Sequence, residues 1–471
     1  MIEWSLRGVW FLMTIKELFA PSDMTEGKPW EKIVIFTIPM LIGNIAQQLY
    51  NTVDSIVVGK YVGDNALAAV GSASPILNLL LVLFMGISVG AGVMVSQYFG
   101  ARERQELSRT IGNCITLTAI ASVIIMILGS ICIRPLLELL NTPSSIIDWC
   151  DSYLMIIIMG IAGCAYYNIL CGILRGLGDS VSALVYLLVA TVINIILDLL
   201  FVAGFHMGVA GVALATVIAQ AISSILCIIR LHKMKEIFDL NIGYLKISGR
   251  HTLTIIRLGL PSGLTQAIFS LAMIIVQSLT NSFGELVIAA NVIIMRVDGF
   301  AMMPNFSFGT TMTTYSGQNV GARRYDRVEQ GSRQGTLIAV GTSTVITALI
   351  LLFGKNLMGI FTNTTELVNL SANMMRILAV GYIAMAVTQS LSGVMRGAGD
   401  TITPMWISVV TTVIIRVPLA YGIAYFTRTP ELRTGAYQSI WISLLTSWMC
   451  GAIITFICYK KGNWKKKALN L

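Results

Sequence analysis

Twelve times along this chain a run of some twenty or more largely apolar residues recurs, and no other feature constrains the fold as strongly. The runs lie at about 33–58, 66–96, 110–133, 150–173, 181–203, 209–229, 253–282, 286–316, 334–354, 369–395, 402–426 and 435–459. A helix needs about 20 apolar residues to cross a bilayer. In lipid every backbone N–H and C=O must find its partner within the protein, which leaves only helices and closed barrels. These runs are far longer than the strands of about ten residues that build a membrane barrel. The expected fold class is therefore an all-α integral membrane protein with twelve transmembrane helices. Composition agrees: 55% of the 471 residues are hydrophobic and only 12% are charged, against about 25% charged in soluble domains. That balance excludes a disordered chain, a nucleic-acid-binding domain and most soluble enzymes.

The charges that remain are placed unevenly. An even number of spans puts both termini on one side. Of the 32 lysines and arginines, 24 fall in segments on that side, 5 on the other, and Arg296, Arg376 and Arg416 fall within spans. The positive-inside rule then makes both termini cytoplasmic and the chain a multi-pass protein of the cell inner (plasma) membrane. The formal net charge of +9 serves orientation and contact with anionic membrane lipids, not nucleic acid. Eight cysteines show no C-x-x-C spacing, and three histidines stand alone. The cysteines read as small apolar residues rather than metal ligands. No G-x-x-x-x-G-K-[ST] loop is present, so ATP hydrolysis by this chain is not expected. The segment from Trp4 to Phe19 is weakly amphipathic. It reads as an interfacial helix or as an over-extended reading frame, with Met13 or Met24 as the start.

A duplication organises the rest. Gly172-Ile-Leu-Arg-Gly-Leu-Gly-Asp-Ser180 matches Gly393-Val-Met-Arg-Gly-Ala-Gly-Asp-Thr401 at an offset of 221, and Gln97-Tyr-Phe-Gly-Ala-Arg102 matches Gln318-Asn-Val-Gly-Ala-Arg323 at the same offset. The segments beginning at Pro39 and Pro261 match at 222. Each half holds six spans and runs in the same direction, an arrangement common in secondary transporters whose substrate path lies between halves. The expected organisation is a cytoplasmic N-terminal segment 1–32, a six-helix lobe 33–229, a cytoplasmic linker 230–252, a second lobe 253–459 and a basic tail 460–471. The glycines of the repeated R-G-x-G-D-[ST] sequence suit a tight turn. Its Arg and Asp are expected to pair across that turn, as structure or as part of a gate.

With these motifs in view, the chain resembles the multidrug and toxic compound extrusion (MATE) family, in its DinF-like branch. The resemblance is carried by the segment Pro39 to Gly59, the Gln-x-x-Gly-Ala-Arg pair and the Arg-Gly-x-Gly-Asp pair. It implies two six-helix lobes around a cleft and export driven by a Na+ or H+ gradient. It also implies kinship with lipid-linked saccharide flippases.

Ionisable groups inside spans are costly, about 2.5–3.5 kcal/mol each on insertion scales, and are functional candidates by default. Asp54, Asp198 and Thr216 lie on the first, fifth and sixth spans, each about 8–10 Å from the outer end of its helix. Asn194 precedes Asp198 by four residues and shares its face. Gln47 and Asn51 share the face of Asp54. The plain alternative for either acid alone is an interfacial residue near a helix end. The resemblance implies that Asp54, Asn194, Asp198 and Thr216 form the H+ or Na+ coupling site, with Pro39 as the bend of the first span. Two carboxylates in a low-dielectric lobe repel, so a proton or a hard cation relieves the site. Loading is then expected to bend the first span at Pro39, which has no amide donor, and to shrink an adjacent substrate chamber.

The second half departs from this pattern. The partners of Asp54, Asn194 and Asp198 at offset 221 are Ile275, Ile415 and Leu419, so the site is not duplicated. Acids that other branches of the family place on the seventh and tenth spans fall here near Gln266 and Met385. Gln266 and Asp298 are kept, with Gln47 and Asn51, as supporting or substrate-lining positions. Asp298 is expected to pair with another helix, Arg416 being one partner. Met302, Met303 and Met312 either line an adaptable pocket or serve packing. No cofactor is expected, and no metal beyond a Na+ at the coupling site. The resulting expectation is a monomeric antiporter, not an enzyme, that exports small organic cations or drugs of amphipathic character. The alternative is a lipid-linked saccharide flippase, which a cationic groove would favour.

Overall fold

The computed structural model describes residues 21–140, 142–430 and 433–468. The segment 4–19 and Met13 lie outside the described residues, as does the end of the basic tail. Ten helices are long and apolar enough to cross a membrane, and two bent pairs of shorter helices bring the number of spans among the described residues to 12. In the first half these are α1 (Pro29–Tyr61), α2 (Asp64–Gly100), α3 (Arg104–Leu139), the bent pair α4 (Ile147–Met159) and α5 (Ile161–Gly176), α6 (Ser180–Asp198, continued by a π-helical turn Leu199–Gly204), and α7 (Gly208–Lys233). The second half has α8 (Gly249–Asn281), α9 (Glu285–Gly321), α10 (Tyr325–Gly359), the bent pair α11 (Thr365–Ala379) and α12 (Gly381–Gly397), α13 (Ile402–Ser408), a π-helical stretch Val409–Arg416, α14 (Val417–Phe426), and α15 (Ser439–Lys461). The turn between halves is shorter than 230–252, because α7 runs on to Lys233 and α8 begins at Gly249.

The fourth and tenth spans, expected as single helices, are bent by 55° and 43°. The bends fall at Gly160 and at Val380, the residue before Gly381, and Gly160 and Gly381 are separated by the same 221 residues as the sequence motifs. Each glycine lets a neighbouring helix approach closely. A Cβ at Gly160 would lie 2.6 Å from Val217 Cγ2, and one at Gly381 would lie 2.5 Å from Trp448 Cε3. Any larger residue at either position would push the neighbour away.

One end of the bundle carries the basic turns after α2, α5, α7, α9 and α12 and is called the basic face below. Here the two halves are joined. α2 packs against α8 and α9, and α1 against α9 and α10. The repeated motifs form the joint. Gln97 Nε2 donates to the Gly397 carbonyl across the halves at 2.8 Å, and its repeat partner Gln318 Nε2 donates to the Gly176 carbonyl at 3.1 Å. Each glutamine of one motif thus holds the glycine carbonyl of the other motif in the opposite half. The helices touch backbone to backbone: a Cβ on Gly100 would run into the Gln318 carbonyl, and one on Gly321 into that of Gln97. Gln318 Oε1 also accepts from the Met24 amide at 2.9 Å. Arg327 donates to the Gly27 and Met24 carbonyls at 2.9 and 3.2 Å, so the segment before α1 is tied to the second half.

The Arg and Asp of the repeated R-G-x-G-D sequence do not pair with each other, contrary to expectation. Asp179 instead caps α6, accepting from Ser182 N at 2.9 Å, and pairs with Arg230 at 2.8 Å. Asp400 accepts from Thr403 N at 3.2 Å and Oγ1 at 2.7 Å. A carboxylate one or two residues before a helix is well placed to take that helix's free amides. On the exposed linker, Arg104 grips Asp239 at 2.8 Å and holds its carboxyl below the usual carboxylate range.

Gly100→Val together with Gly321→Val is expected to wedge the halves apart. Overpacking at such contacts costs about 1–3 kcal/mol per site. The measurement is thermal unfolding of the detergent-purified protein, with a fall in Tm expected. Spin labels on the basic-face ends of α2 and α9 should show a longer and broader distance distribution.

Candidate functional site

The first span is shared between the halves. Near the basic face Ile33, Phe36 and Met40 are buried in one cluster with Phe308 and Met312 of the second half. Toward the other end Val57 and Val58 are buried with Ile133, Leu154 and Val212 of the first half. α1 runs through Pro39 as one continuous helix, although Pro39 leaves the Ile35 carbonyl without its usual amide partner.

Within the first half, α1, α6 and α7 bring a polar cluster together. Asp54 and Asp198 face the same Asn194 amide. Asn194 and Asp198 are fully buried, and Tyr50 is 5% exposed. With its amide nitrogen turned toward the acids, Asn194 donates to Asp54 Oδ1 at 2.7 Å and to Asp198 Oδ2 at 3.1 Å. The far end of that amide lies 3.5 Å from Thr216 Oγ1. The remaining oxygen of Asp198, Oδ1, is buried and has no hydrogen-bond partner among the described residues. The α-helical part of the fifth span ends at Asp198 and the backbone widens into the π-helical turn. Such π-bulges are often found at functional sites.

Asp54, Asn194, Asp198 and Thr216 therefore stand together in space. Two tyrosines join them that the sequence reading did not single out. The Tyr50 hydroxyl lies 3.4 Å from Thr216 Oγ1. Tyr153 of α4 is buried and close enough to interact electrostatically with both carboxyls. Tyr50 had a signal, since it sits four residues before Asp54 on one helical face. Tyr153 had none, because α4 reaches the site only through tertiary packing. Asn51 is exposed and Gln47 half-buried, and neither joins the cluster as a polar partner in the hydrogen bonds described. A helical face is wide, and seven residues back along α1 has already left this contact.

A second feature lies between the halves, a cavity of about 380 Å³. α1 forms part of its wall through Met40 and Asn44. Asn44 Nδ2 donates across the halves to Ser307 Oγ at 2.9 Å, and Thr37 Oγ1 bonds Thr311 Oγ1 at 2.9 Å. Gln266 lines this cavity, whereas Gln47, Asn51 and Asp298 do not. Arg175 and Arg396, the arginines of the repeated motif, both line it, and no Asp or Glu is among its lining residues. The cavity walls use Met40 and Met85. Met302, Met303 and Met312 are instead buried in the packing of the second half.

Asp298 has a different role from the expected one. It accepts from the Tyr382 hydroxyl at 2.9 Å. It makes no ion pair with Arg416, whose guanidinium lies 3.5 Å from Met273 Sδ and whose buried Nε lacks a partner among the described residues. The two charges feel each other electrostatically without contact. Arg296 and Arg376 are exposed.

Known proteins share this architecture. The MatE family model matches twice, over residues 39–200 and 261–422. A probable multidrug resistance protein YoeA of Bacillus subtilis is 27% identical over 97% of this chain and 98% of its own length. A solved outward-facing conformation of a multidrug resistance MATE family transporter superposes with a TM-score of 0.88 at 25% identity, covering 95% of this chain and 99% of that one. A crystal structure of MATE in the bent conformation gives a TM-score of 0.86 at 26% identity over 94% and 98% of the two chains.

Asn194→Leu would leave the facing oxygens of Asp54 and Asp198 without their shared donor. An unsatisfied buried polar group costs about 1–3 kcal/mol. A lower Tm is expected for this variant, while Asn51→Leu, outside the cluster, should unfold at the wild-type temperature.

Proposed function

The chain belongs to the MatE family, and from that premise we propose that it is a secondary active exporter of amphipathic organic compounds, powered by inward movement of H+ or Na+. One observation supports this reading above the others: a single helix, α1, carries Asp54 at the acid cluster and Met40 and Asn44 in the wall of the interlobe cavity. Whatever occupies the cluster therefore acts on a helix that also shapes the cavity. The lipid-linked saccharide flippase reading is not favoured by the relatives.

The proposed coupling follows from charge. Two carboxyls that share one amide donor inside an apolar bundle disfavour each other's ionisation unless a cation lies beside them. Asp54, Asp198, Thr216 and the Asn194 amide oxygen form a set of oxygen donors suited to a proton or to Na+, and Asp198 Oδ1 is the atom with bonding capacity to spare. Loading draws Asp54 and Asp198 together and favours one position of the outer part of α1. The unpaired carbonyl opposite Pro39 is the point where α1 can yield. The part beyond it borders the cavity, so its movement changes the space left for substrate. Coupling by population shift requires only that the cation bind the two positions of α1 with different affinity. The basic face is assigned to the cytoplasm, with the chain in the inner (plasma) membrane, by its excess of lysine and arginine.

The test is dye efflux from liposomes holding the purified chain, with Na+ and pH gradients imposed separately. Efflux driven by one gradient names the coupling ion. Asp54→Asn is expected to cut driven efflux at least tenfold while leaving equilibrium dye binding within twofold. Undiminished, gradient-dependent efflux by this variant would overturn the coupling role. Pro39→Ala should lower turnover several-fold and leave the choice of ion unchanged.

A further inference from the structure

The two arginines in the interlobe cavity have no function in the coupling described above. Arg175 comes from the first half and Arg396 from the second, at repeat-equivalent positions beside the glycines that join the halves. Both line the cavity of about 380 Å³, a size that accepts one drug-sized molecule. Neither makes a hydrogen bond or an ion pair with another described residue. The acids of their own motifs are committed elsewhere, Asp179 to Arg230 and Asp400 to the start of the eleventh span. Gly309 leaves room for the Arg396 head group: a Cβ there would lie 3.4 Å from Arg396 Nη2 and 3.4 Å from Gln389 Oε1.

A guanidinium drawn into a membrane protein without a counter-charge is costly, and such groups persist where they pair or where they meet a ligand. Two of them facing one cavity that has no carboxylate among its lining residues give it a positive floor. Met40, Met85 and Phe306 supply apolar lining to the same cavity. This polarity is the reverse of what an organic cation needs, and it departs from the cationic substrate expected from the sequence.

We propose that Arg175 and Arg396 form an anion subsite in the interlobe cavity, which takes the carboxylate, sulfonate or phosphate of an amphipathic ligand whose apolar body lies against Met40, Met85 and Phe306. The inference rests on the efflux reading for what happens to that ligand, though not for its binding. Arginine suits the task because its planar fork matches carboxylate and phosphate oxygens two at a time. Because the arginines belong to different halves, a bound anion also bridges the halves beside the glutamine joint.

The experiment measures equilibrium binding by fluorescence anisotropy to the full chain in phosphatidylcholine nanodiscs, with 5-carboxyfluorescein as the anionic probe and ethidium as the cationic one. Wild-type protein should bind carboxyfluorescein more tightly than ethidium. Arg175→Gln and Arg396→Gln should each weaken carboxyfluorescein at least tenfold and leave ethidium unchanged. Arg175→Lys and Arg396→Lys, which keep the charge but lose the two-toothed fork, should weaken binding less than the Gln variants do, which separates lost charge from lost folding. Ethidium bound in preference by the wild type, or carboxyfluorescein bound equally by the Gln variants, overturns the proposal. Adding phosphatidylglycerol to the nanodiscs distinguishes the sources of the anion: displacement of the dye assigns the subsite to a lipid phosphate, and no displacement assigns it to a free organic anion. Binding with no gradient-driven efflux would refute the efflux reading and keep the subsite. Driven ethidium efflux without anion binding would do the reverse.

Discussion

The reciprocal bond between Gln97 and Gly397 and between Gln318 and Gly176 is the contact on which the arrangement of the two halves depends. Each half presents one amide side chain and one helix-end carbonyl, and each satisfies the other. Neither bond is strong alone, since a net hydrogen bond contributes about 0.5–1.5 kcal/mol. Their effect comes from position. They sit where Gly100 and Gly321 let α2 and α9 touch at the backbone, so even a small displacement breaks close packing and hydrogen bonds together. The segment before α1, held by Gln318 and Arg327, is drawn into the same joint.

With the halves joined at the basic face, the first span becomes the element that connects two chemically different places. Its inner part is buried with second-half residues and its outer part with first-half residues. The acid cluster and the arginine-lined cavity are thereby linked through one helix while remaining separate sites. The acids lie inside the first lobe, where they cannot serve as a counter-charge for a ligand in the cavity. The arginines line the cavity, where they cannot neutralise the acids. The two sites are thus of opposite charge and kept apart within one bundle.

Fold and cluster were legible to different depths. The twelve spans follow from hydropathy, because lipid imposes a length and a composition on every helix that crosses it. The bends at Gly160 and Val380 were hidden, since both helices of each pair are apolar and the close approach of Val217 to Gly160 and Trp448 to Gly381 involves other spans. Asp54, Asn194, Asp198 and Thr216 could be grouped from depth and helical facing. Tyr50 could have been added by the same rule. Tyr153 could not, because its place depends on how α4 leans into the first half. Asp298 and Arg416 show the limit of charge matching: opposite signs within spans suggested a pair, yet Tyr382 takes the carboxylate and Met273 lies against the guanidinium.

The sequence by itself determined that the chain is a duplicated, twelve-span membrane protein with its basic residues concentrated at one end, and that the two halves are chemically unlike, since Asp54 and Asp198 have no acidic repeat partners in the second half. These are properties of periodicity, offset and count, which survive without coordinates. Tertiary structure alone decided which partner each polar group takes. The arginine and aspartate of the repeated motif are four residues apart in both copies, and nothing local forbids their pairing. The free amides of the following helix, Arg230 and Thr403 offer the aspartates better geometry. The arginines are left facing a cavity that exists only because the two halves meet.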